Sequence, residues 1–377
     1  MTARIHLNTA GAGIPVAAVL DAMTSYLVAE RELGPYEAEE RHASDLHRRI
    51  YESLGALVGS RPEEIALFAS ATDAWCRIVC HLDIPAGSRI WVTPYEYAGN
   101  LIALQGLARR RDAAIEVVPA LRNGDLDLHW MRDALDERVA LVSVTHMPSG
   151  CGIVLPVNAV GALLAGSEAV YVVDACQTIG QRALDVRGMG CDVLTGAGRK
   201  FLRGPRGCGF AFVATRLWDR IQPPFADLHT AEVVSLLEHQ IRPGRASRFE
   251  TAERSGAVVL GLLAALDEVG PQPHGASPEL YDALVAAVGA VPGVRLISPG
   301  SVRAGIVSFV HDRRTPAQIV EGLAADDISG WAAFGSHTPL YIAAGGVSRF
   351  VRLSIHHHHD MRDVEATSRS LRRIAGA

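Results

Sequence analysis

The sequence predicts an α/β protein: a large three-layer α/β/α domain on a mainly parallel sheet, then a small C-terminal α+β domain. Three observations predict it. Short apolar runs alternate with helix-length stretches from about residue 16 to 214, the pattern of strands joined by crossover helices. Five polar residues, Thr72, Glu96, His146, Asp174 and Lys200, stand at or just after the ends of those runs. Ligands of open α/β sheets bind at such strand ends. Past about residue 255 the alternation gives way to a long helix, a Pro/Gly-rich loop and a compact mixed unit.

Taken in order, residues 16–32 and 40–58 read as helices, the second with Leu46, Ile50, Leu54 and Leu57 at helical spacing. The apolar run 65–68 precedes a helix from Asp73 to His81. Strands are expected at 88–93, 115–119, 139–144, 169–174, 192–195 and 209–214, with helices at 100–111, 127–136 and 157–165 between them. The remainder reads as helix 256–270, loop 270–278, helix 279–289, strands 294–298 and 305–310, helix 316–324, strand 350–355 and a final helix from about 361. The expected units are an N-terminal segment, 1–15, a large domain, 16–255, and a small domain, 256–377, entered through the 256–270 helix.

Composition narrows the function. Charged residues make up 20% of the 377 and the net charge is -5, which disfavours a nucleic-acid binder or a polybasic membrane-surface protein. No apolar run is long enough to span a bilayer, and the opening MTARIHLNTAG lacks the apolar core of a secretory signal, so a cytoplasmic protein is expected. The six cysteines have no CxxC spacing and read as reduced thiols. No metal site is expected: four successive histidines, 356–359, in an extended run would point to alternate faces. Asp360 can cap the helix that follows them.

The 36 basic residues include one lysine, Lys200. Arginine serves wherever charge alone matters, but only lysine can lose its proton and attack a carbonyl. Asp174 ends a buried apolar strand 26 residues earlier. A carboxylate at a strand end with a lone lysine on the neighbouring turn suits pyridoxal phosphate (PLP). The amine bonds the coenzyme aldehyde, and the carboxylate keeps the pyridine nitrogen protonated.

From LNTAGAG (7–13) to RLSIHHHHD (352–360), and above all in VYVVDACQTIG (171–180) and DVLTGAGRKFLRGPRGCGF (192–210), the sequence resembles the class V aminotransferases of PLP fold type I. The resemblance implies that Lys200 is the coenzyme-bonding lysine, Asp174 the partner of the ring nitrogen and Gln177 a donor to the phenolic oxygen. ASATDAW (69–75) is similar to the family's phosphate loop, which implies phosphate contacts from Ala71 and Thr72. Ala197 and Arg199 stand where the family has serine and histidine, so Arg199 is expected to supply a charged phosphate donor. Glu253 replaces a threonine in SRFETAERSG, a segment resembling one that reaches a phosphate across a dimer interface.

The same resemblance implies that Tyr97 stacks on the ring, supported by Glu96 and Asn100, and that His146 and Ser149 line the pocket. It implies that Arg352 forks the substrate carboxylate, with Tyr36 and Asn8 also toward substrate. A homodimer with its site near the subunit boundary and a small amino-acid substrate are expected.

For the reaction, Ser336 falls where a desulfurase would carry its sulfur-accepting cysteine, and no cysteine follows 208. Serine cannot become a persulfide. Within the family, RKFLRGPRGCG, LNTAGAG, GPYEAEE and SRFETAE most resemble the actinobacterial C–S lyase acting on hercynylcysteine sulfoxide in ergothioneine biosynthesis. A C–S lyase is therefore expected, with Tyr36, Trp75, Tyr97 and Phe334 framing a bulky or cationic side chain. An epimerase or aminotransferase of a natural-product pathway is the alternative, and a non-catalytic binding protein of the same fold a further one.

Overall fold

The protein is described by a computed structural model covering residues 4–270 and 272–376. In chain order it runs β1 (Ile5–His6), α1 (Ala17–Leu33), α2 (Pro35–Arg41), α3 (Ile50–Val58), β2 (Ile65–Phe68), α4 (Ala71–Arg77), β3 (Arg89–Val92), α5 (Ala98–Arg111) and β4 (Ala114–Val117). Then come α6 (Leu128–Ala134), β5 (Val139–Thr145), α7 (Val157–Leu164), β6 (Val170–Asp174), α8 (Val186–Met189), β7 (Val193–Ala197) and β8 (Gly209–Val213). After the hairpin β9 (Ala231–Val233) and β10 (His239–Ile241) follow α9 (Gly256–Val269), α10 (Pro278–Gly289), β11 (Val294–Leu296), β12 (Ile306–His311) and α11 (Pro316–Ala324). The chain closes with β13 (Ile328–Ser329), β14 (Trp331–Phe334), β15 (Arg349–Ser354) and α12 (Met361–Gly376).

The main sheet has seven strands in the order β2-β8-β7-β6-β5-β3-β4. β4, β3, β5, β6 and β7 pair in parallel, and β8 runs antiparallel between β7 and β2. Alternation along each strand feeds two cores. Tyr171 and Val173 of β6 face a core shared with α1, α3 and α9, whereas Val170 and Val172 face one shared with α4 and α5. The result is the expected three-layer α/β/α domain.

A second, antiparallel sheet, β11-β12-β15-β14, carries α10, α11 and α12 around its own core. The N-terminal segment belongs with it: β1 pairs with β13, and the Ala10 amide donates to Ser354 Oγ at 2.9 Å. Gly13 then reaches the other way, its amide donating to the Arg199 carbonyl at 2.8 Å. A Cβ at Gly13 would lie 2.5 Å from the Lys200 carbonyl, so only glycine allows this approach.

Several expectations need correction. The helix expected over 40–58 is divided: α2 ends at Arg41, and a wide-pitched turn at Asp45–Arg49 leads into α3. α4 starts two residues before Asp73, because the Ser70 hydroxyl caps it by accepting the Asp73 amide at 3.0 Å. The 256–269 helix, expected to lead the small domain, buries Val259, Leu260, Leu262 and Leu263 in the core beneath the seven-stranded sheet.

Trp75, expected at a substrate cage, is a core residue. It is 1% exposed between α4 and the sheet, and its Nε1 donates to Thr195 Oγ1 at 3.2 Å. Trp75→Ala is expected to cost about 3–5 kcal/mol by leaving a cavity. Thermal or denaturant unfolding reads this loss directly, and an unchanged midpoint would return Trp75 to the substrate.

Candidate active site

The carboxyl ends of the parallel strands converge on a cavity of about 240 Å³. Ala69 and Ser70 enter from the turn after β2, Ala71 and Thr72 from the first turn of α4, and Tyr97 and Asn100 from the start of α5. Thr145 ends β5 and Ser149 follows it; Asp174 ends β6 and Cys176 and Gln177 follow it. Ala197, Arg199 and Lys200 leave β7, and Arg206, Gly207 and Cys208 lead into β8. Parallel register sets Thr145, Asp174 and Thr195 side by side, which is why residues distant in sequence meet here.

Asp174 is held from both sides. Its Oδ1 accepts the Cys176 amide at 2.9 Å and its Oδ2 accepts Asn100 Nδ2 at 2.8 Å. Asn100 is oriented in turn by Glu96 Oε1 at 3.0 Å. Glu96 is fully buried and also accepts from Ser143 Oγ, Thr145 Oγ1 and the Tyr97 amide. Burial raises its carboxyl above the ordinary range, against the pull of those donors. The chain Glu96–Asn100–Asp174 thus fixes the carboxylate that faces the cavity.

Lys200 makes no ion pair among the described residues. Burial pushes its ammonium below the usual lysine value, Cys176 and Asp174 oppose this, and Arg199 and Arg352 add to it. The uncharged, nucleophilic amine is therefore favoured more than in free lysine. Capture of an aldehyde by the apoprotein should accelerate with pH and level off below 10.5, the ordinary lysine value. Stopped-flow absorbance over pH 6–11 tests this; a rise continuing through 10.5 contradicts it.

At the other end, the amides of Ala71 and Thr72 lie in the first turn of α4, where a helix leaves N–H groups free. Gly209 lets β8 pack against them: a Cβ there would stand 2.5 Å from the Ala71 nitrogen. The Arg199 guanidinium lines the cavity but is tied to the Gly11 carbonyl. Arg206, exposed in the Gly-rich turn before β8, adds a second cation here.

Other expected site residues stand differently. Gln177 lines the cavity, yet its Nε2 donates to the Ala10 carbonyl at 3.1 Å, leaving buried Oε1 without a partner. In this orientation the amide oxygen, and not a donor, is free. His146 is buried but not among the lining residues; its Nδ1 has no partner, and burial followed by Arg182 pulls its pKa down to about 4. Tyr97 lines the cavity at 38% exposure. Tyr36 is 84% exposed on α2 and absent from the cavity lining, because α2 lies outside the converging strand ends.

Arg352 on β15 approaches through Ser149. Its Nη1 donates to the Ser149 carbonyl at 3.3 Å, its Nη2 to Asn8 Oδ1 at 3.1 Å, and its buried Nε has no partner. Burial, then Arg199, lowers this guanidinium to about 10. A buried, incompletely paired guanidinium is a strong attractor for a carboxylate. Two cavity thiols were not foreseen as lining residues, Cys176 and Cys208. Burial raises Cys176 well above the usual thiol value and Cys208 to about 12.

None of the segment 247–256 lines the cavity. Its Glu250 is structural, accepting the Leu67 amide at 2.8 Å and pairing with Tyr51 and Arg254, while Glu253 is exposed. Of the expected aromatic cage, Tyr97 and Phe334 are joined through His337, with centroids 6.4 and 5.6 Å away. Arg349 already covers one face of Phe334 at 4.3 Å.

Comparison with known proteins places these residues in context. A sequence model described as aminotransferase class V matches residues 5–367. A probable cysteine desulfurase of Methanothermobacter thermautotrophicus is 26% identical over 386 residues, covering 99% of this chain and 95% of that one. Probable cysteine desulfurase 2 of Mycobacterium leprae is 30% identical over 312 residues, covering 78% and 73%. A cystine C–S lyase, solved in complex with its reaction product cysteine persulfide, shares the fold with a TM-score of 0.83 at 22% identity, covering 99% and 98%.

Proposed function

The chain belongs to the class V aminotransferase family, and from that premise we propose that it is a PLP-dependent C–S lyase, cleaving the Cβ–S bond of a β-substituted cysteine or cysteine sulfoxide. The cavity suits the coenzyme. An unpaired, readily neutral amine stands at one end, a fixed carboxylate at another, and free helix amides with two arginines at the phosphate end. When bound, PLP supplies an electron sink for negative charge developing at Cα.

The chain's own residues do the rest. Asp174, anchored by Asn100 and the Cys176 amide, would hold a proton at the pyridine nitrogen. Thr72, the amides of Ala71 and Thr72, Arg199 and Arg206 would hold the phosphate. Tyr97, at the cavity wall, would face the ring. Arg352, aimed by Ser149 and Asn8, orients the substrate carboxylate. Lys200 then takes the α-proton as general base. The electron pair so released forms the Cα–Cβ double bond as the Cβ–S bond breaks, and sulfur leaves with its electrons.

One observation carries the choice of elimination over desulfuration: no readily ionised thiol lines the cavity to receive sulfur. Cys176 and Cys208 are kept protonated by burial, Ser336 is an exposed serine, and no cysteine follows 208. A sulfoxide solves the chemistry, since a sulfenate leaves without a nucleophile. Hercynylcysteine sulfoxide, the ergothioneine precursor, is the substrate we favour, on the branch motifs above. Tyr97, His337 and Phe334 offer its cationic side chain an aromatic rim.

Incubation with hercynylcysteine sulfoxide should give pyruvate and ammonia in equal amounts, with the sulfenic acid trapped by a dimedone probe. No pyruvate above background retires this substrate. Exchange of solvent deuterium into Cα without elimination, or a requirement for a keto acid, selects the epimerase or aminotransferase instead. The same reading takes the enzyme as a cytoplasmic homodimer with its site near the subunit boundary, which sedimentation and localisation experiments would test.

Arg352→Gln should raise KM for the amino acid about 30-fold or more while kcat falls less, since a buried carboxylate clamp is lost. Steady-state kinetics reads the split, and an unchanged KM would remove Arg352 from the substrate.

A further inference from the structure

We propose that His356, His357 and His358 form a binding site for one divalent transition cation of the Zn²⁺ class, with His274 beside it. The reason for expecting no metal was that successive histidines in an extended strand alternate faces. Here β15 ends at Ser354, and residues 356–359 form a turn closed by the His359 amide on the His356 carbonyl at 3.1 Å. The turn gathers the rings. His356 and His357 centroids lie 4.3 Å apart, and His358 is 5.5 and 5.6 Å from them. One nitrogen from each of the three lies within 4.8 Å of the others.

The hydrogen bonds sort ligands from supports. His359 is committed on both nitrogens, Nδ1 accepting the His356 amide and Nε2 meeting the His6 carbonyl. His356 Nε2 donates to the Gly180 carbonyl at 3.2 Å, so its Nδ1 carries a lone pair; that atom is fully buried and has no partner. An imidazole anchored on a carbonyl through one nitrogen and free on the other is the usual state of a metal-ligating histidine. His357 and His358 are exposed. Tetrahedral Zn–N bonds need nitrogens about 3.4 Å apart, a contraction that rotation of two surface rings supplies. The His274 ring, 5.0 Å from His357, or a water completes the shell.

The charges around the cluster are mixed. Arg203 faces the cluster and opposes a cation, Glu268 faces His357 and favours one, and Asp363 acts on His359. The Arg203 Nε donates to the Ile14 carbonyl at 2.9 Å.

The position gives the site a task. Phe201, next to Lys200, stands edge-on to His356 at 5.2 Å, and Gly180 packs on the Phe201 backbone. A cation held by this turn stiffens the chain before α12 at the point where it packs on Gly180 and Phe201, and with His274 as fourth ligand it also fastens the loop before α10.

The test uses the PLP-loaded full chain, purified without metal affinity, stripped with chelator, and titrated with Zn²⁺ in a calorimeter. Wild type should bind one equivalent per chain and melt at higher temperature with Zn²⁺ present. The double variant His357→Gln/His358→Gln should lose at least about tenfold in affinity and all of the melting shift. His356→Gln is a second variant, with circular dichroism to separate unfolding from ligand loss. No saturable binding to wild type, or equal affinity in the double variant, overturns the site.

Discussion

Lys200→Ala should lower turnover by at least about 10³-fold, the loss expected when the covalent anchor and the general base disappear together. The side chain carries no ion pair among the described residues, so its removal breaks no structural contact of that kind, and unfolding should stay near wild type. Lys200→Arg should be as inactive as alanine, because a guanidinium keeps its proton. Small primary amines should restore part of the activity to Lys200→Ala and none to Lys200→Arg, whose side chain still fills the space. Turnover above a tenth of wild type in either variant would place the base elsewhere.

Asp174→Asn should cost about 10²–10³-fold in kcat. The substitution preserves shape but removes the charge that keeps a pyridine nitrogen protonated. It also sets a side-chain NH₂ against either the Asn100 amide or the Cys176 N–H, both of which Asp174 now accepts. The coenzyme should still bind through Lys200, so the loss appears in turnover while the lysine-bound absorbance persists at an altered wavelength. An Asp174→Asn enzyme with wild-type kcat would show that ring protonation does not depend on this carboxylate.

Most of the parallel sheet was legible because its strands are buried on both faces and read as continuous apolar runs, such as VYVVD at β6. The strand ends were legible for the same reason: a lone Asp or Lys after such a run contrasts with what precedes it. What failed was whatever depends on a turn or a distant partner. The turn at 356–359 was missed because local extension was assumed. Trp75 was misjudged because its i-position near a phosphate loop says nothing about which side of α4 it faces. Gln177 lines the cavity, but its amide nitrogen is taken by Ala10, 167 residues away, a contact no local pattern encodes. Arg206 was overlooked because an arginine in an arginine-rich chain carries little contrast.

The central claim is that one amine bonds the coenzyme. Because the chain has a single lysine, reduction of the holoenzyme with borohydride followed by peptide mass spectrometry tests it most directly. The expected result is a pyridoxyl group on the peptide containing Lys200, with the absorbance at about 400–430 nm lost on reduction. A protein that takes up PLP yet carries no label on that peptide would contradict it.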